Sequence, residues 1–306
     1  MNNKTKQVII MQNITACKVG FYQNCLIGKS LKTSYVNNFS VGDQPNICNV
    51  YVVNQHAIDA IQEFCTEGTN QELKEDWMNP VAMCVVNRSN FLGTNFPQSE
   101  GITDDIYNLR TNFNMITSNG NPFPLKEKEC VYNKFITTIR DSNLQAIPVQ
   151  NTYKFGVIVV SPINKPSLLD ELRMGSNEFL NTMTTLETLF QTAIYYGHNI
   201  LLLTPFGHTS DDVPQEDVIK IYNSLIFKYQ HRFTNIIFCI PPWDGYEMFK
   251  LYEDNIIIPQ DICDEETGEN NDEDSDNIDD SEKENIQIKV RNKQSNKSEI
   301  NSNKKK

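Results

Sequence analysis

The sequence predicts an α/β fold with a mostly parallel central sheet and helices on both of its faces. Short apolar runs of strand length recur along the middle of the chain, and most lack polar alternation, which is typical of strands covered on both faces. These runs alternate with segments whose apolar residues recur at helical spacing. Strands that alternate with helices favour parallel pairing, because each helix returns the chain to the start of the next strand.

Five runs predict the strands of this sheet. They are rich in Val, Ile and Leu, which are side chains that favour strands, and the last run is closed by Pro241 and Pro242. The runs cover residues 47–53, 81–86, 155–160, 200–203 and 236–240.

The predicted helices follow these strands. One covers residues 56–65, and another starts near Gly101. The two strongest have apolar stripes over residues 179–193 and 218–229. Asp212 and Gln215 precede the last stripe in the register of a capping box, so their side chains are expected to bond the free N–H groups at the helix start.

Two further segments flank the predicted α/β domain, which we place at residues 46–257 of the 306. Residues 1–45 are polar and weakly patterned, and we interpret them as an N-terminal extension in which residues 8–11 are predicted to form a strand and the rest is left unassigned. Residues 258–306 are acidic and then basic and contain few aromatic residues, so they are predicted to form a disordered tail. We interpret the tail as a solvating segment; the alternatives are a docking arm and a nuclear address at its lysine end.

The charge of the chain limits its partners. The formal net charge is −12, and twelve acidic residues without a basic one lie between Asp261 and Glu282. The remaining body, residues 1–260, carries six net negative charges. Direct binding to duplex DNA is disfavoured, because affinity for DNA depends on Lys and Arg that neutralise phosphates. A small anionic ligand is compatible with this charge, since a few backbone N–H groups suffice to hold it.

Membrane and metal functions find no support in the sequence. No run approaches about 18 uninterrupted apolar residues, and the first residues are polar where a signal peptide would be apolar. We therefore expect an intracellular protein, cytoplasmic or nuclear, that does not contact a membrane. The eight cysteines form no CxxC pair and the four histidines are far apart, so neither a metal nor a cofactor is expected.

Two strand exits carry the residue types that bind anions. The first follows the run at residues 81–86, and the second follows the run at residues 200–203; both loops contain Gly, Thr and Ser, which allow tight turns and offer small hydrogen-bonding groups. In open α/β sheets, ligands bind beyond the carboxyl ends of the strands, where helix N-termini attract anions. The simplest interpretation is a diphosphate held between the two loops.

Five blocks of the chain also recur, in the same order, in one protein family. They read VYVVNQHAIDAIQEF (residues 50–64), CVVNRSN (84–90), LGTNF (92–96), TDDIYNLRTNF (103–113) and LTPFGHTSDDVP (203–214). The corresponding blocks of the family read V-x-N-x-x-T-x-x-A, V-L-N-F-A-N/S-A, P-G-G-G-F, A-Q-E-E with L-x-R-x-T/S-x-L, and G-A-x-G-C-G-x-F-x-N-x-P. Over residues 49–254 the chain thus resembles the macro-domain superfamily, specifically its microbial-type poly(ADP-ribose) glycohydrolase-like branch.

The resemblance implies a three-layer α/β/α macro-domain fold that binds ADP-ribose or ADP-ribosylated protein and hydrolyses ADP-ribosyl glycosidic bonds without a cofactor. It places Asp104 and Asp105 at the paired-carboxylate positions, with Asp105 at the catalytic one. A carboxyl group suits this reaction, because it can protonate the leaving oxygen and then activate water. The implied ligand-binding residues are Asn87, Asn90, Gly93, Thr94, Asn95, Phe206, Gly207, His208 and Thr209.

The chain departs from the family in both loops. Of the glycine triplet only Gly93 remains, with Thr94 and Asn95 in the other places. In the second loop, His208 and Thr209 take the positions of Cys and Gly. Each added β-carbon narrows the room for a ligand and penalises positive φ angles.

Structural interpretations of the same residues stand beside the functional ones. Acidic residues in a first helical turn favour the helix dipole with or without a substrate, which explains Asp104 and Asp105 equally well. Gly207 is also explained as a turn glycine, and Phe206 as a buried aromatic at a strand end. Two functions therefore remain: an ADP-ribose-binding domain with glycohydrolase chemistry, and an inactive interaction protein that kept the fold, lost the pocket and engages a basic protein through its acidic tail.

Overall fold

The computed structural model describes residues 3–18, 27, 29–40, 48–65, 79–86, 105–116, 121–163, 166–170, 173–208 and 212–259. Apart from residues 258 and 259, the predicted tail lies outside these residues. None of the described helices has both the length and the apolar character that crossing a bilayer requires.

A seven-stranded sheet forms the centre of the described chain. The strands are β1 (Ser30–Ser34), β2 (Asn49–Val53), β3 (Pro80–Val85), β4 (Glu129–Thr138), β5 (Tyr153–Val160), β6 (Leu168–Asp170), β7 (Arg173–Met174), β8 (Ile200–Leu203) and β9 (Asn235–Cys239). The order in the central sheet is β1-β4-β5-β3-β8-β9-β2, and β6 pairs with β7 separately. β5, β3, β8, β9 and β2 are mutually parallel, while β4 runs antiparallel to both of its neighbours. The predicted mostly parallel sheet is confirmed.

Helices cover both faces of this sheet. They are α1 (Asn3–Lys18), α2 (Ala57–Ile61), α3 (Asp105–Arg110), α4 (Ser176–Tyr195), α5 (Gln215–Tyr229) and α6 (Tyr246–Asn255). Successive strand residues point to opposite faces, so Val81 and Met83 pack in one core with α4, α5 and α6. Ala82 and Cys84 pack in a second core with α2 and α3. The three-layer α/β/α arrangement follows from these two cores.

The five predicted strands and the two strongest predicted helices are present, with small shifts at their ends. The helix predicted over residues 56–65 is α-helical to Ile61 and continues as a 3-10 turn to Phe64. The helix predicted from Gly101 is described from Asp105 onward.

The strand predicted at residues 8–11 is wrong, because this segment lies within α1. Ile10 and Asn13, almost one helical turn apart, form the buried side of α1. The side-chain amide of Asn13 donates to the backbone oxygens of Asn108 (3.2 Å) and Leu109 (2.9 Å), which attaches α1 to α3. Residues of the predicted extension thus supply a helix packed on α3 and, through β1, an edge strand of the sheet.

Candidate functional site

The two predicted loops leave adjacent strands at the same edge of the sheet. β3 and β8 are parallel neighbours, so their carboxyl ends lie side by side. The first loop follows β3 and the second follows β8. The topology therefore brings together the two strand exits that the sequence selected.

Backbone pairing between these two strands ends before the strands themselves end. Pairing of β3 with β8 stops at Ala82 and Leu202, although both strands continue beyond these residues. β3 stays paired with β5, and the N–H of Val86 still donates to the carbonyl of Val160 at 2.9 Å. β8 likewise stays paired with β9 as far as Leu203. We call the region beyond the last β3–β8 pair the opening; it lies at the carboxyl edge, where ligand crevices in α/β sheets form.

Two tyrosine hydroxyls occupy the base of this opening. From α3, the hydroxyl of Tyr107 donates to the carbonyl of Met83 at 3.1 Å. From α5, the hydroxyl of Tyr222 donates to the carbonyl of Thr204 at 3.1 Å and lies 3.5 Å from the sulfur of Met83. Both rings are fully buried, and burial raises the pKa of Tyr222 far above its usual range, so it stays a donor. The hydroxyls satisfy carbonyls that would otherwise be left unpaired where the pairing ends.

The turn after β8 requires glycine at one position for internal reasons. Gly207 has φ +70°, a conformation that side chains with a β-carbon rarely adopt. A β-carbon there would lie 2.5 Å from Cγ2 of Val213 and 3.0 Å from Cβ of Pro162. The N–H of Val213 donates to the carbonyl of Gly207 at 3.1 Å and closes the turn. Packing within the protein thus explains this glycine, whether or not a ligand approaches it.

The predicted capping box at the start of α5 is wrong. The N-cap residue is Pro214, Asp212 has φ +53°, and no side chain caps the helix. Gln215 is instead directed at the turn: its Nε2 donates to the carbonyls of Phe206 (3.1 Å) and Val213 (2.7 Å). Its Oε1 accepts a hydrogen bond from Tyr252 of α6 at 2.8 Å. The side chain stabilises the turn instead of the helix end.

The helix that begins with Asp105 is fixed at both ends. Two residues after Asp105, the hydroxyl of Tyr107 holds α3 against β3. At the other end the guanidinium of Arg110, only 4% exposed, donates to the carboxylate of Asp59 in α2 at 2.7 Å. The Leu-Arg-Thr part of the recognised motif therefore has a structural role, and it orients the helix whose first residue is the candidate acid.

Sequence reasoning missed the side chain at the exit of β2. His56 is 5% exposed, and its Nδ1 accepts the N–H of Ile58 at 3.1 Å, so it caps α2. Its ring lies edge-on to Tyr107 with 5.5 Å between centroids, and it stacks on Trp243 at 5.7 Å. Trp243 follows β9 and stays 62% exposed. A polar residue just before an apolar helical stripe was the signal for this cap, although histidine is uncommon there.

The predicted residues of the second loop are described only in part. The ring of Phe206 is fully buried beneath the turn, so stacking on a nucleotide would require it to leave the core. Gly207 and His208 lie in the same turn, and His208 is partly exposed. The structure describes the backbone of Asp105, as the first residue of α3, but not its side chain. The remaining candidates lie outside the described residues, and their roles stay predictions: Asn87, Asn90, Gly93, Thr94, Asn95, Asp104 and Thr209.

Among the side chains that the structure describes, no three His, Cys, Asp or Glu residues come together as a metal site would need.

Comparison with known proteins supports the fold. No family model matches the sequence, and no curated protein does either. The chain is similar in structure to poly(ADP-ribose) glycohydrolase from Thermomonospora curvata, with TM-score 0.65, 10% identity and coverage of 82% of this chain and 97% of that one. The same enzyme bound to the inhibitor ADP-HPD aligns with TM-score 0.59, 10% identity and coverage of 78% and 93%. The Deinococcus radiodurans enzyme in complex with ADP-ribose aligns with TM-score 0.55, 11% identity and coverage of 71% and 86%.

These likenesses define the chain as a three-layer α/β/α protein of macro-domain-like architecture. Its fold is that of the microbial poly(ADP-ribose) glycohydrolases, and the fold that the five sequence blocks implied is confirmed.

Proposed function

We propose that this chain binds ADP-ribose or a related nucleotide in the opening between β3 and β8. The observation that supports this most directly is the opening itself: two adjacent strand exits lie beyond the last β3–β8 pair at one edge of the sheet, with carbonyls there already satisfied by Tyr107 and Tyr222. A pyrophosphate between two such exits would meet backbone N–H groups from both loops. The neighbouring structures with ADP-ribose and with ADP-HPD have the same fold, which supports the same class of ligand here.

Within this proposal, different loop residues contact different parts of the ligand. Gly93, Thr94 and Asn95 approach one side of the pyrophosphate, and Gly207, His208 and Thr209 approach the other. Asn90 contacts the distal ribose, and Asn87 is a further ligand-binding residue. Phe206 acts from below, where its buried ring supports the turn.

We further propose that Asp105 makes the chain an ADP-ribosyl glycohydrolase. Its carboxyl group would protonate the leaving oxygen as the anomeric C–O bond breaks and then remove a proton from the attacking water. Asp104 supplies the neighbouring carboxylate. The position of Asp105 at the start of a helix fixed to β3 by Tyr107 supports this role.

Calorimetric titration of the full chain with ADP-ribose tests the binding proposal. A dissociation constant below about 1 mM is expected; weaker binding would leave less than about 4 kcal/mol and remove the ligand role. That result would favour the alternative, an interaction protein that kept the fold and engages a basic partner.

The catalytic proposal is tested by release of ADP-ribose from modified protein and from polymer. Asp105→Ala should lower the rate by a factor of about 100 or more, because a positioned acid and base contributes at least that much. Asp254→Ala, at an exposed aspartate of α6 with one ion pair to Lys250, serves as the control and should release ADP-ribose at the original rate. Equal release from the original chain and Asp105→Ala would exclude Asp105 from the reaction.

A further inference from the structure

The turn after β8 is oriented by a side chain from the helix that follows it. Gln215 is 5% exposed and Tyr252 is fully buried. Burial raises the pKa of Tyr252 well above its usual range, so its hydroxyl stays protonated and keeps a hydrogen to donate. Because that hydroxyl donates to Oε1, the NH₂ group of Gln215 must face the carbonyls of Phe206 and Val213. The reverse orientation would place three oxygens together.

Holding the carbonyl of Phe206 also sets the direction of the next N–H group. The peptide between Phe206 and Gly207 is trans and planar, so its C=O and N–H point in opposite directions. The N–H of Gly207 is therefore directed away from α5, and no described residue accepts it. The second carbonyl, that of Val213, precedes Pro214, which has no N–H; this bond anchors the far end of the turn and orients no donor.

We propose that Gln215 is a positioning residue for phosphoryl recognition. By holding the carbonyl of Phe206, it directs the N–H of Gly207 at a phosphoryl oxygen of the bound nucleotide. Tyr252 contributes indirectly, since it fixes which end of the Gln215 amide faces the turn. The inference rests on the proposed binding function and names one donor, and the side chain that orients it, within the same site.

Amide NMR spectra of the full chain test this role directly. In the original chain, inorganic pyrophosphate and ADP-ribose should shift the Gly207 amide resonance strongly downfield, while adenosine, which has no phosphate, should leave it in place. Gln215→Met keeps the length of the side chain and removes both donors. It should abolish that shift and weaken pyrophosphate binding about tenfold, the usual effect of losing one charge-assisted hydrogen bond.

A second variant and a control separate positioning from simple stabilisation. Tyr252→Phe leaves the donors of Gln215 in place but frees its amide to turn, so it should weaken pyrophosphate binding to a smaller extent, and it decides the question if Gln215→Met does not fold. Asn223→Leu is the control, since Asn223 lies on the same helix and its amide bonds residues 255 and 257, away from the turn. It should bind as the original chain does.

Two failures are distinguishable. If the original chain shows neither binding nor a shift, the proposed function itself is wrong. If the original chain binds and the folded Gln215 and Tyr252 variants bind equally well with the same Gly207 shift, only the positioning role is overturned.

Discussion

The two ends of the β3–β8 pair are built in opposite ways. At the amino end the strands pair from Pro80 and Ile200 onward. Asn79 adds two hydrogen bonds there: its backbone N–H donates to the side-chain oxygen of Asn199 (2.9 Å), and its side-chain amide donates to the carbonyl of Gly197 (3.0 Å). At the carboxyl end the pairing stops before the strands end, and side chains donate to the carbonyls there. Tyr107, Tyr222 and Gln215 donate to the carbonyls of Met83, Thr204 and Phe206, respectively. The amino end is therefore joined by backbone and side-chain hydrogen bonds between the strands. At the carboxyl end, side chains from the helices bond the carbonyls instead.

The two ends differ in which groups satisfy the backbone carbonyls. Where two parallel strands pair, their backbone groups satisfy each other, but where the pairing ends each buried carbonyl needs another donor, because unpaired buried carbonyls are costly. The side chains that provide those donors come from helices on both faces. An opening maintained in this way is expected at a binding site.

The largest expected effect compares the two glycines that flank β8. Gly197 and Gly207 both have positive φ, but a β-carbon at Gly197 meets nothing within 4 Å, whereas one at Gly207 overlaps Val213 and Pro162. Each alanine substitution should cost about 1–2 kcal/mol in backbone strain, and Gly207→Ala should lose a further 1–3 kcal/mol or so from the overlap. Urea unfolding of the two variants measures the difference. Equal losses would mean that the turn after β8 relaxes freely.

The next effect concerns acid sensitivity at the closed end. His198 is 3% exposed; its Nδ1 donates to the carbonyl of Asn79 (3.1 Å), and its Nε2 accepts from the hydroxyl of Tyr132 (3.0 Å). Burial lowers the pKa of His198 from 6.5 to about 4. The unfolded chain then binds the proton more readily, so this contribution to stability is complete above about pH 6.5 and is lost as the pH falls to about 4.

The loss amounts to about 3 kcal/mol at pH 4, because the pKa of His198 differs by about 2.5 between the folded and the unfolded chain. Urea unfolding at pH 7.5 and pH 4.5 checks it, and His198→Gln, which cannot be protonated, should reduce the difference between the two values. If the substitution leaves the pH dependence unchanged, protonation of His198 is not its source. Carboxylates elsewhere contribute their own pH dependence, which the two chains share.

Much of the fold could be predicted because buried parallel strands are unusually plain in sequence. The predicted runs within β3, β5, β8 and β9 contain no charged or amide side chains, since both faces of these strands meet helices. β4 was missed because it carries Asn133 and Lys134 in its middle, where the pairing with β5 also shifts register. β1 was missed because it is a short, polar edge strand.

The site was predicted less completely, for a physical reason. Patterning predicts the strands and the loops that follow them, whereas the neighbouring positions of β3 and β8 come from the sheet order of the structure. The roles of Tyr107, Tyr222 and Gln215 depend on which backbone carbonyls the fold brings to their side chains, and residue patterns do not predict these contacts. The spacing between Gln215 and Asp212 suggested a capping box. In the structure the side-chain amide of Gln215 instead donates to the carbonyls of Phe206 and Val213 in the turn.

The smallest expected effect compares a buried tyrosine hydroxyl at the opening with one elsewhere in the core. Tyr222→Phe leaves the carbonyl of Thr204 without its side-chain donor and should cost about 1–2 kcal/mol. Tyr153→Phe is the matched control, because its hydroxyl, also buried, donates to the carbonyl of Ile58 at 2.9 Å away from the opening. Both should lower the free energy of unfolding similarly, but only Tyr222→Phe should weaken ADP-ribose binding, since only there do the strand ends lose a support. Calorimetry on both variants decides; equal affinities would show that binding at the opening does not depend on this hydroxyl.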